Sequence, residues 1–141
     1  MRHLLTLFLL GCSLSQAADF RVGASQVDIT PPNGTPMAGY YAFRAVGGVM
    51  DPIFAKAIVV EQDGTHAAIV VIDLSGTTRP IVDAARRAVQ EQCGIEGDHV
   101  MISATHTHTG PQLARGSLMD DITKANSPAG QDYMGKLPGF I

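Results

Sequence analysis

Two histidines, His106 and His108, stand in the polar run Thr105-His106-Thr107-His108-Thr109, which Gly110-Pro111 closes. A neutral imidazole offers one lone pair to a metal ion and exchanges a proton near neutral pH. Two at this spacing can bind one ion together, or one can bind while the other handles a proton. The run continues an apolar strand pattern, Val100-Met101-Ile102-Ser103-Ala104-Thr105. Strand side chains alternate faces, so both rings are expected on one side, about 6–7 Å apart along the backbone. Paired histidines can also be a surface coincidence. The abrupt change from apolar strand to polar, glycine- and proline-closed loop argues for a shaped site instead.

The elements that must position this pair are readable from the same sequence. Residues 20–29 read as an opening strand, with Val27 and Ile29 alternating with polar neighbours, and Thr30-Pro31-Pro32-Asn33-Gly34-Thr35-Pro36 stops it in a loop of fixed shape. Residues 54–61 form a second strand, Gln62-Asp63-Gly64-Thr65 a hairpin turn, and residues 66–73 a third strand. The unbroken apolar character of that third strand implies burial on both faces. His66, at its turn end, reads as solvated. Thr78-Arg79-Pro80 opens a helix in which the threonine hydroxyl can cap. Ile81, Val82, Ala85, Val89 and Cys93 make its apolar stripe, and Gly94 ends it in a left-handed conformation.

Strand, helix and strand make a crossover, expected to be right-handed with parallel strands. Ligands bind at the C-terminal ends of strands in open α/β sheets, where His106 and His108 lie. Asp73 and Ser75 end the neighbouring strand. Asp73 can orient an imidazole or ligate a metal; equally, it can cap the loop or helix that follows. Tyr40 and Tyr41, adjacent on a loop, either line a pocket or pack that loop down. Residues 112–141 show no helix or strand longer than a turn or two, and read as an active-site excursion.

The chain has 141 residues and a formal net charge of −3, enough for one domain with a core and without the basic footprint that nucleic acid needs. Residues 1–17 read as a signal peptide: Arg2 and His3, then the apolar run Leu4 to Leu10, then Ser15-Gln16-Ala17 as a cleavage site. The run is too short to span a bilayer. Export to a secreted or periplasmic location is therefore expected. The alternative is a lipid anchor at Cys12, because Leu9-Leu10-Gly11-Cys12 resembles a lipidation box. Cleavage leaves Cys93 as the single thiol, unable to form an internal disulfide and expected in the core.

Four blocks together resemble the neutral/alkaline non-lysosomal ceramidase family. They are Val22-Gly23-Ala24 with Asp28-Ile29-Thr30-Pro31-Pro32, Met37-Ala38-Gly39-Tyr40, Val70-Val71-Ile72-Asp73-Leu74 and, most specific, Ala104-Thr105-His106-Thr107-His108-Thr109-Gly110-Pro111. Other families that use His-x-His fit less well. Metallo-β-lactamase-like enzymes follow the pair with Asp-His, where this chain has Thr109-Gly110, and amidohydrolase barrels place the pair on their first strand. The resemblance implies a zinc amidase that splits ceramide into sphingosine and a fatty acid. It matches His106 to the zinc ligand and His108 to a catalytic-site histidine near the scissile amide.

The resemblance also implies a lipid or other amide substrate and contact with a membrane surface. The family's remaining ligands (a second histidine, a glutamate and a tyrosine) and its proposed catalytic serine have no counterpart within these residues, and Met50 stands where relatives often carry histidine. The expected fold is α/β, a mixed sheet with a right-handed crossover. Residues 18–141 would form the N-terminal portion of a larger catalytic domain, inactive alone because a catalytic zinc needs about three protein ligands. Two alternatives are an exported, non-catalytic metal- or ligand-binding module and a metallohydrolase acting on another amide or ester.

Overall fold

A computed structural model describes residues 19–141; the leader and Cys12 lie outside the described residues. Four strands form one mixed sheet in the order β1-β2-β3-β4: β1 (Phe20–Asp28), β2 (Phe54–Gln62), β3 (Thr65–Ile72) and β4 (Val100–Ala104). β1 pairs antiparallel with β2 and β2 with β3, whereas β4 runs parallel to β3 through the helix α1 (Arg79–Cys93). The β2–β3 hairpin turns on Asp63 and Gly64, with φ of 51° and 78°. Both central residues are thus left-handed, as a two-residue turn requires.

One face of the sheet holds the core. Ala55 pairs with Ile72 and Ile72 with Ala104, while Ala68 pairs with Val100, so these side chains fall on one side. Ile81 of α1 packs with them, together with Ile95, Leu74 and Leu113. Pro80 stands in the first turn of the helix, and Gly94 caps its end, left-handed at φ 71° and donating its N–H to the Gln90 carbonyl at 3.1 Å. Thr78 makes no side-chain cap; its hydroxyl and that of Thr77 are buried without a partner among the described residues.

Three expectations are corrected. β3 is buried on one face only: Val70 and Ile72 are covered, but Ile69 is 44% exposed. It belongs to a cross-strand apolar row of Ala24, Ile58, Ile69 and Met101 on the outer face. Unbroken apolarity marks where apolar residues stand, not what covers them. Cys93 is exposed rather than in the core, because it ends the helix just before the chain turns at Gly94.

The third correction is the tail. Residues 112–141 carry two helices, α2 (Leu118–Thr123) and α3 (Pro128–Phe140). Gly130, Gly135, Gly139 and Pro138 depress helix propensity throughout α3 and hide it from periodicity. Packing overrides propensity here. Gly130, Tyr133 and Leu137 are buried, and α3 lies against α1. Ser127 caps its start by accepting the Gly130 N–H at 3.4 Å, and a Cβ on Gly130 would overlap the Ala125 carbonyl. The Tyr133 hydroxyl donates to the Ile29 carbonyl at 2.7 Å, tying the tail to the end of β1. Burial, reinforced by the Asp28 carboxylate, pushes its phenol pKa far above the ordinary value.

Asp120 fixes the corner between β4 and α2. It is 2% exposed, and one carboxylate oxygen accepts the backbone N–H groups of Arg115, Gly116 and Ser117 at 2.8, 2.7 and 3.1 Å. Burial pushes its pKa up. Those three amides, with the Ser117 hydroxyl, more than offset this and hold the carboxyl below its ordinary value. A depressed folded-state pKa gives stability that is present above the unfolded pKa and is lost as pH falls through the folded one.

Two outcomes follow for denaturant titrations. Tyr133→Phe leaves the Ile29 carbonyl unpaired and should cost about 1–3 kcal/mol; an unchanged midpoint would mean that the tail is not docked. Acidification below about pH 4, the ordinary carboxylate range, should destabilise the wild type, and Asp120→Ala should flatten that dependence while costing about 1–2 kcal/mol at neutral pH. An Asp120→Ala variant with the wild-type acid profile would remove the carboxylate from this role.

Candidate active-site wall

The histidine loop begins where β4 stops, and it remains bonded to the chain beyond β3. Thr105 N–H donates to the Ile72 carbonyl and Thr107 N–H to the Leu74 carbonyl, both at 3.0 Å. On its other side it zips to residues 36–38. Thr109 N–H donates to the Ala38 carbonyl at 3.1 Å, Ala38 N–H to the Gly110 carbonyl at 2.8 Å and Gln112 N–H to the Pro36 carbonyl at 2.7 Å. Pro36 and Ala38 are buried, so the long β1–β2 connection acts as a fixed floor.

This segment is not a strand, contrary to the alternation reasoning. His106 and Thr109 are left-handed, with φ of 63° and 68°. The facing nevertheless alternates. His106 and His108 line one cleft of about 460 Å³, while Thr107, Thr109 and Gly110 line a separate one of about 500 Å³. The larger cleft is bounded by Thr30, Met37, Arg44, Met50 and Ile53 and contains neither imidazole. The two rings stand edge to face at 63°, with centroids 5.2 Å apart.

Each ring is held differently. His106 Nδ1 lies 2.7 Å from the Ser75 carbonyl. A carbonyl only accepts, so Nδ1 carries the proton and the neutral ring keeps its lone pair on Nε2. Metal-binding imidazoles are oriented by a bond of this kind. His108 packs beneath Gly39: a Cβ there would stand 2.8 Å from Cγ and Nδ1 of the ring. Gly39 also has φ +94°, a conformation that L side chains rarely adopt. The glycine of the Met37-Ala38-Gly39-Tyr40 block thus sets where this imidazole stands.

Asp73 takes neither of the roles expected for it. Its carboxylate accepts the Phe54 N–H at 3.1 Å and stands 3.4 Å from Lys56 Nζ, which ties the end of β3 back to β2. The Ser75 carbonyl makes the imidazole contact instead. Tyr40 and Tyr41 both line the histidine cleft; Tyr41 is 90% exposed and Tyr40 stacks under the Arg44 guanidinium at 4.1 Å. His66 is exposed, as expected, and its carbonyl meets His99 Nδ1 at 3.1 Å. Arg115, Ser117 and Asp120 join the cleft from the tail, where the sequence shows no motif to single them out.

A metal ion would find one well-prepared donor here, Nε2 of His106, with His108 beside it. Among the described residues no group of three or more histidine, cysteine, aspartate or glutamate side chains could hold an ion. The donor set therefore fits part of a coordination sphere and not a complete one.

Comparison with known proteins places this wall in a family. Residues 20–128 match the family profile described as "Neutral/alkaline non-lysosomal ceramidase, N-terminal". The chain is 35% identical over 121 residues to the neutral ceramidase of Drosophila pseudoobscura pseudoobscura, covering 79% of this chain and 16% of that protein. Against the neutral ceramidase of Drosophila melanogaster it is 35% identical over 116 residues, 76% of this chain and again 16% of the relative. The chain thus spans about a sixth of these relatives' length. Among solved structures, the neutral ceramidase from Pseudomonas aeruginosa superposes with a TM-score of 0.67 at 21% identity, over 89% of this chain and 22% of that one. A ceramidase complexed with C2 gives 0.65 at 21% identity, over 88% and 20%. At that identity the solved structures speak for the fold, and they agree with the mixed α/β sheet expected from the sequence. The sequence matches carry the assignment: the chain belongs to the neutral/alkaline non-lysosomal ceramidase family.

Proposed function

We propose that this chain supplies one wall of a zinc-dependent amide-hydrolysing site acting on ceramide-class lipids, with His106 as a metal ligand and His108 as a catalytic group. The observation that carries the reading is the Ser75 carbonyl on His106 Nδ1, which leaves Nε2 free as a donor at the cleft. Family membership supplies the reaction class. Bound zinc would polarise the amide carbonyl and lower the pKa of a water molecule. Hydrolysis moves the water oxygen to the acyl carbon and breaks the C–N bond, so the departing nitrogen needs a proton. His108, 5.2 Å from the His106 ring and packed under Gly39, would hold or deliver that proton.

The remaining ligands would come from outside the described cluster, and with His106 alone zinc would be held weakly. Export, and with it contact with a membrane surface, belongs to the same proposal and rests on residues 1–17. The incomplete donor set favours a second reading, an exported module that binds metal or ligand without turnover.

Zinc stoichiometry and fatty-acid release from an N-acyl sphingoid base, both measured on the complete gene product, separate these readings. The wild type should carry zinc and release fatty acid, and His106→Ala should lose both. Unchanged zinc in His106→Ala would remove this residue as a ligand, and zinc without hydrolysis would favour the binding module. Gly39→Ala should reduce kcat about 10- to 100-fold by displacing the ring, with zinc content retained. In a His108→Gly background the same substitution should add little, because its target is gone. Effects that simply multiply in the double variant would show that Gly39 acts through the fold and not through His108.

A further inference from the structure

The histidine cleft is rich in donors and has one carboxylate, that of Asp120. That carboxylate already accepts three backbone N–H groups and is turned into the corner of the chain. Arg115 is exposed and lines both this cleft and the neighbouring one bounded by Thr77, Thr78 and Met134, and its side chain makes no hydrogen bond or ion pair among the described residues. Two contacts bear on where it lies. Asp120 anchors its backbone N–H at 2.8 Å, which fixes the root of the side chain. At the other end the guanidinium lies on Gly76, where any Cβ would overlap it. Gly76 directly follows Ser75, whose carbonyl orients His106. A guanidinium is a permanent cation whose planar fork suits two parallel bonds to a carboxylate.

We propose that Arg115 forms a carboxylate-binding subsite in the histidine cleft, and that its ligand is the fatty-acid class of product released by amide hydrolysis. The identity of the ligand rests on the amide-hydrolase reading; the preference for an anion rests on the cleft alone. Arg115 would hold the carboxylate beside the imidazoles, and Gly76 would be required so that the guanidinium can lie flat. Tyr40, Tyr41 and Met119 offer the apolar surface that an acyl chain needs at the mouth of the same cleft.

Backbone amide shifts of the isotopically labelled full chain, titrated with sodium octanoate and with neutral octanamide of the same chain length, test this directly. Octanoate should shift the Gly76, Arg115 and Gly116 amides saturably, with octanamide at least about tenfold weaker, equivalent to about 1.4 kcal/mol. Arg115→Gln should abolish the preference for octanoate, and Arg115→Lys should keep part of it. Gly76→Ala leaves every charge in place but displaces the guanidinium, and should lose the preference as Arg115→Gln does. Equal binding of octanamide, or an Arg115→Gln affinity for octanoate within about twofold of wild type, well under 1 kcal/mol, would overturn the proposal. Since neither ligand is turned over, octanoate binding here together with failure of the complete gene product to hydrolyse N-acyl sphingoid bases would sink the amide-hydrolase reading and leave the carboxylate subsite standing.

Discussion

The parallel pairing of β3 with β4 is the constraint on which the site depends, because it brings two chain ends to one edge pointing the same way. Antiparallel neighbours would have sent residues 73–76 and 105–108 to opposite edges. In parallel register, Ile72 stands opposite Ala104, and the ladder continues past both strands through Thr105 to Ile72 and Thr107 to Leu74. The next partner in that progression is a side chain: His106 Nδ1 on the Ser75 carbonyl. Sheet hydrogen bonding therefore passes without a gap into the bond that selects the imidazole tautomer. The crossover helix α1 makes the parallel pairing possible, and Ile81, with Val89 beside it, joins it to the core on that face of the sheet.

Much of this was legible in the sequence because it depends on local rules. Asp63-Gly64 specifies a hairpin, Pro80 and Gly94 bracket a helix, and helix between two strands specifies a crossover. Strand alternation also predicts the shared facing of His106 and His108, although the segment is not a strand. The segment bends at His106 and Thr109, and its residues still divide between two clefts while backbone bonds on both flanks hold it in place. What the sequence could not show depends on tertiary partners. Asp73 faces either the histidines or β2 depending on which group reaches it first, and the Phe54 N–H and Lys56 do. The helix α3 is concealed by its own glycines and proline, and only docking of Tyr133 and Leu137 makes it favourable. Arg115 carries no motif at all; its place follows from Asp120 and Gly76, neither of which is its partner in sequence pattern.

The backbone at the histidine loop is costly in itself. A left-handed residue with a side chain is disfavoured by roughly 1–2 kcal/mol, and this loop has two, His106 and Thr109. The five backbone hydrogen bonds that run from residues 105–112 to residues 36–38 and 72–74 each contribute about 0.5–1.5 kcal/mol net and are enough to offset it. The strain is thus distributed into the floor and the sheet edge, which are buried and unable to yield cheaply. Relaxing His106 to ordinary dihedrals would swing its ring away from Ser75 and break the flanking pairings together. A loop of this kind orders the His106 ring within the fold itself. Strained dihedrals held by surrounding structure are typical of sites with a chemical task, and in this chain the strain falls on His106 itself and on the first residue beyond His108.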